Sequence, residues 1–268
     1  MSVAEPAVFE LHDVTYRYHQ VKALDRLSLA IQRGARVALL GANGSGKSTL
    51  LRILDGLSFP QEGSVQFCGQ LLTEEKLAHD GFDFRRRVGL VFQNPDVQLF
   101  SPTVFDELAF GPLQLRWSTA EIRRRVSETL DVMEIAHLRD RSPHHLSMGE
   151  KKRVALASIL ILDPEILLLD EPTAALDPKS EGHMIDFLVR AKGSAKTIVT
   201  ATHDLDIAED IADTCCVFQE GRVVAEGPPS EILNNIALLE QTSLLHSHLH
   251  MHKSGAVHSH PHLHRHEH

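Results

Sequence analysis

Residues 41–49 read GANGSGKST, an instance of G-x-x-x-x-G-K-[ST], and no other string in the chain restricts its fold as tightly. The pattern works only where a buried strand runs into a glycine-rich turn that opens a helix, because successive backbone N–H groups must curl around a nucleotide's phosphates. The flanks supply that context. Val37 to Leu40 is a short apolar run suited to a buried strand, and Thr49 to Leu57 has helical spacing. Gly41, Ala42, Asn43, Gly44, Ser45, Gly46, Lys47, Ser48 and Thr49 therefore make a candidate cradle for ATP or GTP. Lys47 is expected to reach the outer phosphates as a point charge and Ser48 to hold Mg²⁺, while the helix N-terminus adds its positive end.

The chain has 268 residues, enough for one large domain or two small ones with a real core. Its three cysteines, Cys68, Cys215 and Cys216, make no disulfide framework and read as reduced thiols. The longest apolar stretch, Ile159 to Leu169, is broken by Asp163, Pro164 and Glu165, short of the ~18 to 20 residues of a membrane span. The amino terminus lacks a basic region followed by an apolar one. A soluble protein facing the cytosol is expected. A net charge of −9 argues against a general nucleic-acid binder, and the basic triplets Arg85–Arg87 and Arg123–Arg125 read as solvated faces.

Alternating segments at Val8 to Tyr18, Leu24 to Ile31 and Ser64 to Cys68 read as strands of a small antiparallel sheet. A helix is expected from Thr119, capped by Ser118 or Thr119, with Ile122, Val126, Leu130 and Met133 on its buried stripe. The apolar runs Ile166 to Leu169 and Thr197 to Ala201 lie between helical stretches, which with Val37 to Leu40 favours a parallel sheet covered on both faces. One or two amphipathic helices are expected over Ser230 to Leu245.

A P-loop alone leaves kinases, GTPases, motors and transport ATPases open. Ile166 to Pro172, ILLLDEP, narrows the choice: an apolar strand delivers Asp170 to a magnesium shell, and Glu171 follows where a carboxylate can polarise an attacking water. With these residues in view, the chain resembles the nucleotide-binding subunits of ATP-binding cassette (ABC) transporters over about residues 8 to 230. Leu146 to Val154, LSMGEKKRV, is similar to the family's signature. Gln93 resembles the Q-loop glutamine, Ala174 to Asp177 the D-loop, His203 the switch histidine and Tyr18 the aromatic residue that stacks on adenine.

The resemblance implies a P-loop NTPase core with an antiparallel β subdomain, a helical subdomain near residues 95–160 and a C-terminal helical and His-rich extension from 231 to 268. It also implies catalytic roles for Glu171, His203, Lys47 and Gln93, and Mg²⁺ contacts from Ser48, Gln93 and Asp170. Ser147, the Gly149 amide, Glu150 and Asp177 would contact ATP held by a second copy, giving a head-to-tail homodimer. Met148 and Glu150 depart from the usual LSGGQ. Met148 fits if its backbone is not left-handed, and Glu150 brings negative charge near phosphate, which Lys151, Lys152 and Arg153 would offset.

Residues 92–112, FQNPDVQLFSPTVFDELAFGP, resemble the Q-loop region of energy-coupling-factor (ECF) ATPases, including the cobalt and nickel branch. That resemblance implies a peripheral ATPase on the cytoplasmic face of the membrane, a transmembrane T-type subunit and a membrane substrate-binding component. Ten of the 18 histidines lie in the tail, mostly as H-x-H: His246, His248, His250, His252, His258, His260, His262, His264, His266 and His268. Alternate imidazoles on one segment suit Ni²⁺, Co²⁺, Zn²⁺ or Cu²⁺. Nickel or cobalt import is the expected function. An ECF ATPase for a vitamin such as biotin is the alternative within the class, and a soluble ABC ATPase acting on nucleic acid the alternative outside it.

Overall fold

The computed structural model describes residues 7–191, 195–245, 247–251 and 257–261, the last two segments as backbone. The chain divides into two compact units, one of Met1–Leu50, Phe59–Leu71 and Ala201–His268, the other of Leu51–Ser58 and Leu72–Thr200.

In the first unit β1 (Ala7–Tyr18) and β2 (Val21–Gln32) form a long antiparallel hairpin, with Phe9 opposite Ile31, Leu11 opposite Leu29 and Tyr18 opposite Val21. Alternation along β2 buries Leu27, Leu29 and Ile31 on one face, and an irregularity in the register at Arg26, φ 47°, leaves Leu24 buried as well. β3 (Arg36–Leu40) stands apart from this hairpin. β4 (Glu62–Phe67) pairs with the other edge of β1, and β5 (Gln70–Leu71) closes the order β2-β1-β4-β5. The Phe9 and Phe67 rings meet across it, 5.2 Å apart. This is the small antiparallel sheet expected from the alternating segments.

Beside it β3 pairs in parallel with β9 (Thr214–Gln219), which turns through Glu220-Gly221 into antiparallel β10 (Arg222–Gly227). β3 is buried along its length from Val37, so its side chains carry no alternation and must be apolar throughout. The pair Cys215 and Cys216 is buried in β9, and burial raises both thiols, Cys215 to about 11. No disulfide forms among the described residues.

The second unit carries α2 (Glu74–Arg87), β6 (Val88–Val91), α3 (Val104–Gln114), α4 (Thr119–Val132), α5 (Met148–Leu160), β7 (Ile166–Asp170) and α6 (Pro178–Arg190). β6 and β7 run in parallel, from Val88 opposite Ile166 to Val91 opposite Leu169. α4 begins as expected: Ser118 caps it by accepting the Glu121 N–H, and Ile122, Val126 and Leu130 are buried. Arg124 pairs with Glu121 and Glu128 on the solvated side. Arg87 departs from the solvated-face expectation, because its guanidinium grips Glu165 through two hydrogen bonds of 3.0 and 3.1 Å before β7.

β8 (Thr197–Thr202) is cut by the unit boundary at Thr200. After it the first unit continues with α7 (Leu205–Ile211), then α8 (Pro229–Leu233) and α9 (Ile236–Gln241), the two short helices foreseen over 230–245. Two backbone strands, β11 (Ser247–Met251) and β12 (Val257–Pro261), pair antiparallel in the tail. Among the described residues no helix is long and apolar enough to cross a membrane.

Candidate functional site

The sequence-predicted residues fall in both units: Tyr18, residues 41–49 and His203 in the first, Gln93, Ser147, Gly149, Glu150, Asp170, Glu171 and Asp177 in the second. In the first, β3 delivers the loop and α1 (Lys47–Leu54) receives it. Gly46 is required by its conformation, φ 112°, and by space, since a Cβ would stand 2.5 Å from the Ala23 carbonyl oxygen. Asn43 and Gly44 are exposed, whereas Lys47 is buried and its Nζ donates to the carbonyls of Gly41 (2.5 Å) and Ala42 (3.3 Å). The Ser45 hydroxyl is buried without a hydrogen-bond partner. A curled loop with an ammonium folded on its carbonyls and an unsatisfied hydroxyl fits a polyphosphate, which would supply the missing acceptor.

His203 is exposed at the end of β8, just before Asp204, which caps α7 by accepting the Asp206 and Ile207 N–H groups. Tyr18 ends β1 with its ring edge-on to Tyr16, 4.9 Å between centroids, and is 38 % exposed.

In the second unit Gln93 follows β6 and is exposed. Asp170 ends β7, and Asp170 and Glu171 are both buried. Glu171 sits in the left-handed region at φ 46°, uncommon for a residue with a side chain, and so turns the chain sharply out of the strand. Asp177 caps α6, accepting the Lys179 and Ser180 N–H groups and the Ser180 hydroxyl, and these bonds hold its carboxyl below the usual range.

Ser147 caps α5 as part of a capping box. Its hydroxyl accepts the Glu150 N–H, and the Glu150 carboxylate accepts the Ser147 N–H at 2.8 Å. That backbone bond is the first cause of a lowered Glu150 pKa. Gly149 abuts the start of α6 so closely that a Cβ would lie 2.3 Å from Ser180 Oγ.

A sequence model of the ABC transporter family matches residues 24–174. The chain is 53 % identical over 242 residues to the nickel import ATP-binding protein NikO of Rhodobacter capsulatus, spanning 88 % of this chain and 95 % of that one. The chain belongs to the ABC transporter ATP-binding family. As an ABC ATPase it binds ATP. It is also 46 % identical over 236 residues to the energy-coupling factor ATP-binding protein EcfA of Carboxydothermus hydrogenoformans, covering 88 % of this chain and 86 % of that one. Among solved structures it is similar to cbiO1 of Clostridium perfringens, part of the ABC transporter complex cbiONQ. The TM-score is 0.75 and the identity 36 %, over 90 % and 96 % of the two chains. The dimeric MJ0796 cassette bound to ADP and Pi matches with TM-score 0.73 and 30 % identity over 82 % and 98 %.

Both departures of residues 146–150 from LSGGQ have a local account. Met148 is the first residue of α5, with no left-handed backbone, and its side chain is 38 % exposed. Glu150 is the acid a capping box requires at its third helical position. The three cations after it do not act as a group, however. Lys151 pairs with Asp96 at 2.7 Å and Lys152 is buried, leaving Arg153, with Arg141, to lower the Glu150 pKa.

Other residues in this unit were not anticipated. Gln98 accepts the Phe92 N–H and donates to the Ala155 carbonyl at 3.0 Å, tying the segment after β6 to α5. Glu107, buried in α3, accepts the N–H groups of Phe100 and Ser101. A lone amide after a strand or a carboxylate within a helix gives no hint in sequence of which backbone it will cap.

Among the described residues no group of three or more His, Cys, Asp or Glu side chains could hold a metal ion. In the tail, His246, His252, His262, His264, His266 and His268 lie outside the described residues, and the backbone register pairs His248 with His260 and His250 with His258.

Proposed function

We propose that this chain is the ATP-hydrolysing subunit of an energy-coupling-factor importer for nickel or cobalt. It works as a homodimer on the cytoplasmic face of the membrane, against a transmembrane T-type subunit and a membrane substrate-binding component. The observation that carries the cargo is the 53 % identity with a nickel import protein across nearly the whole of that relative.

In this reading the loop 41–49 binds the phosphates, with Lys47 turning from its own carbonyls to the outer ones, and Tyr18 stacks on the adenine. Ser48, Gln93 and Asp170 offer the hard oxygen donors that would hold Mg²⁺, which when bound would neutralise charge on the transferred phosphoryl group. Glu171 orients the attacking water and draws its proton, and His203 donates to a γ-phosphate oxygen. Ser147 and the first N–H groups of α5 close on ATP held by the second copy, as the dimeric state of the similar MJ0796 cassette supports. Loss of the γ-phosphate then removes the contacts that favour the closed dimer.

A groove of 530 Å³ supports the membrane partner. Phe82, Phe100 and Phe110 line it with Gln98, Ile159 and Leu162, and these phenylalanines remain 57, 61 and 45 % exposed. Clustered rings of this kind mark a face that is covered in use, and its assigned occupant is a coupling helix of the T-type subunit. The histidine tail is assigned to holding nickel or cobalt near the transporter.

The test is uptake of labelled nickel, cobalt and biotin by cells expressing the whole transporter with this chain or with Glu171→Gln. Nickel or cobalt accumulation that the variant abolishes is the expected result. Biotin accumulation in place of metal would transfer the assignment to vitamin import, and accumulation untouched by the variant would end the role of Glu171.

A further inference from the structure

Lys152 is the most deeply buried cation in the second unit's signature helix, 3 % exposed, and its ammonium is fully engaged. Nζ donates to the carbonyls of Glu171 (2.8 Å), Pro172 (3.2 Å) and Ala174 (2.7 Å). An ammonium has three donors and no acceptor, so three carbonyls use it completely. All three belong to the turn that leaves β7 and leads to Asp177. That turn holds itself weakly. Glu171 and Ala175 are both left-handed, at φ 46° and 60°, and the turn's own hydrogen bonds are long: Ala174 N–H to the Glu171 carbonyl at 3.3 Å and Leu176 N–H to the Thr173 carbonyl at 3.2 Å. Strained residues of this sort persist only where surrounding structure fixes them. Without Lys152 the turn would also leave inward carbonyls unsatisfied, which buried backbone does not tolerate.

From this geometry we infer that Lys152 is a positioning residue for ATP hydrolysis: it pins the backbone of residues 171–174 to α5 and so fixes where the Glu171 carboxylate and the D-loop stand. The inference rests on the proposed role of Glu171. Lys152 touches no reacting atom; it acts through the Glu171 peptide. Because Lys152 and Ser147 share one helix, any shift of α5 as its N-terminus closes on the second copy's ATP is passed directly to the chain's own Glu171.

Lys152→Met removes the donors and keeps the length, and Lys152→Arg keeps donors on a similar stem. For Lys152→Met we expect kcat to fall ~30- to 100-fold, the scale of an ångström's misplacement, with KM for ATP changed less than ~3-fold. Lys152→Arg should recover part of the loss. Hydrogen exchange at the Ala174 and Leu176 amides should quicken at least ~10-fold in Lys152→Met, a readout that does not depend on turnover. Full turnover in Lys152→Met, or unchanged exchange at those amides, overturns the inference. So does an equal loss of kcat and ATP affinity in both variants, which signals general damage. Glu171→Gln is measured alongside: if it hydrolyses ATP normally, the reading of Glu171 has failed, whereas an inactive Glu171→Gln with a fully active Lys152→Met is the failure of the Lys152 role alone.

Discussion

Gly149→Ala tests the close approach of α5 to the start of α6. The added Cβ would lie 2.3 Å from Ser180 Oγ and 2.7 Å from Ser180 Cβ, against the ~3.5 to 4.0 Å at which carbon atoms rest, so the start of α5 or α6 must move by about 1 Å. Ser180 cannot swing aside freely, since its hydroxyl donates to Asp177 at 2.6 Å and its N–H to the same carboxylate at 3.2 Å. Forced overpacking of this size costs about 2 kcal/mol, within a usual range of 1–3. For a chain this long, at ~2–4 °C per kcal/mol, the melting temperature should fall by ~4–8 °C. Calorimetry of Gly149→Ala, Ser180→Gly and the double variant then makes a cycle. Ser180→Gly destabilises on its own by losing the cap bond and by glycine's poor helix propensity, ~1 kcal/mol. In the double variant the clash is gone, so a favourable coupling of at least ~1 kcal/mol is expected. A Gly149→Ala protein within ~0.5 kcal/mol of the parent, or strictly additive losses, would refute the steric account of this glycine.

Asp55 follows α1, where burial raises its carboxyl to about 7 against the opposing pull of Arg85. The folded chain therefore holds this proton more tightly than the unfolded one. The stability it contributes is complete below pH ~3.8 and lost as the pH rises to ~7, by at most about 4 kcal/mol. Asp55→Asn should flatten urea unfolding measured across that window, and an unchanged pH slope would show that Asp55 ionises normally. Phe100→Asp and Phe110→Asp place charge on a T-shaped pair 4.9 Å apart in the proposed docking groove. Each should weaken capture of the membrane subunit in detergent ~10- to 100-fold, the value of one buried phenylalanine, and undiminished capture would remove the groove from the interface. Deleting residues 246–268 should abolish most Ni²⁺ binding in calorimetry with the metal alone, and what the parent binds should be released below about pH 6 as imidazoles protonate. Equal affinity without the tail would end its assignment.

The P-loop, the β1–β2 hairpin and α4 were legible because each follows a local rule: a phosphate-binding string, a period of two, and a capped period near 3.6. β9 and β10 went unread, although Glu220-Gly221 between them, both left-handed at φ 48° and 77°, is the kind of turn that favours a hairpin. β6 is a run of only four apolar residues directly after three arginines, too short for periodicity to separate strand from helix. The partner of Arg87 is 78 residues away, a distance at which charge pairing leaves no trace in sequence. Lys152 was the costlier miss. Read along the chain it is the middle of three cations, but by helical spacing it lies three residues after Gly149 and four before Leu156, both buried. A lysine on the apolar stripe of a helix needs acceptors inside the protein, and that stripe was the signal.

Glu150 joins local structure to the proposed clamp, and the two pull in opposite directions. Its carboxylate accepts the Ser147 N–H and the Ser147 hydroxyl at 2.8 and 2.9 Å, so it stabilises the N-terminus of α5 and occupies the hydroxyl that a second copy's ATP would need. Glu150→Gln keeps an acceptor but removes the charge. The helix should lose ~0.3–1 kcal/mol of charge–dipole stabilisation, read as a small fall in unfolding free energy. The clamp should gain instead. Removing one negative charge beside a triphosphate in a largely aqueous setting relieves repulsion on the order of 1 kcal/mol per site, or ~5-fold, and a dimer has two such sites. Light scattering of Glu150→Gln in a Glu171→Gln background with MgATP should therefore show a dimer ~10- to 30-fold tighter at low salt, with the gain shrinking as salt screens it. A less stable chain that dimerises more tightly is the signature of this trade. Equal dimer affinity at every ionic strength would mean that the Glu150 charge never faces the nucleotide.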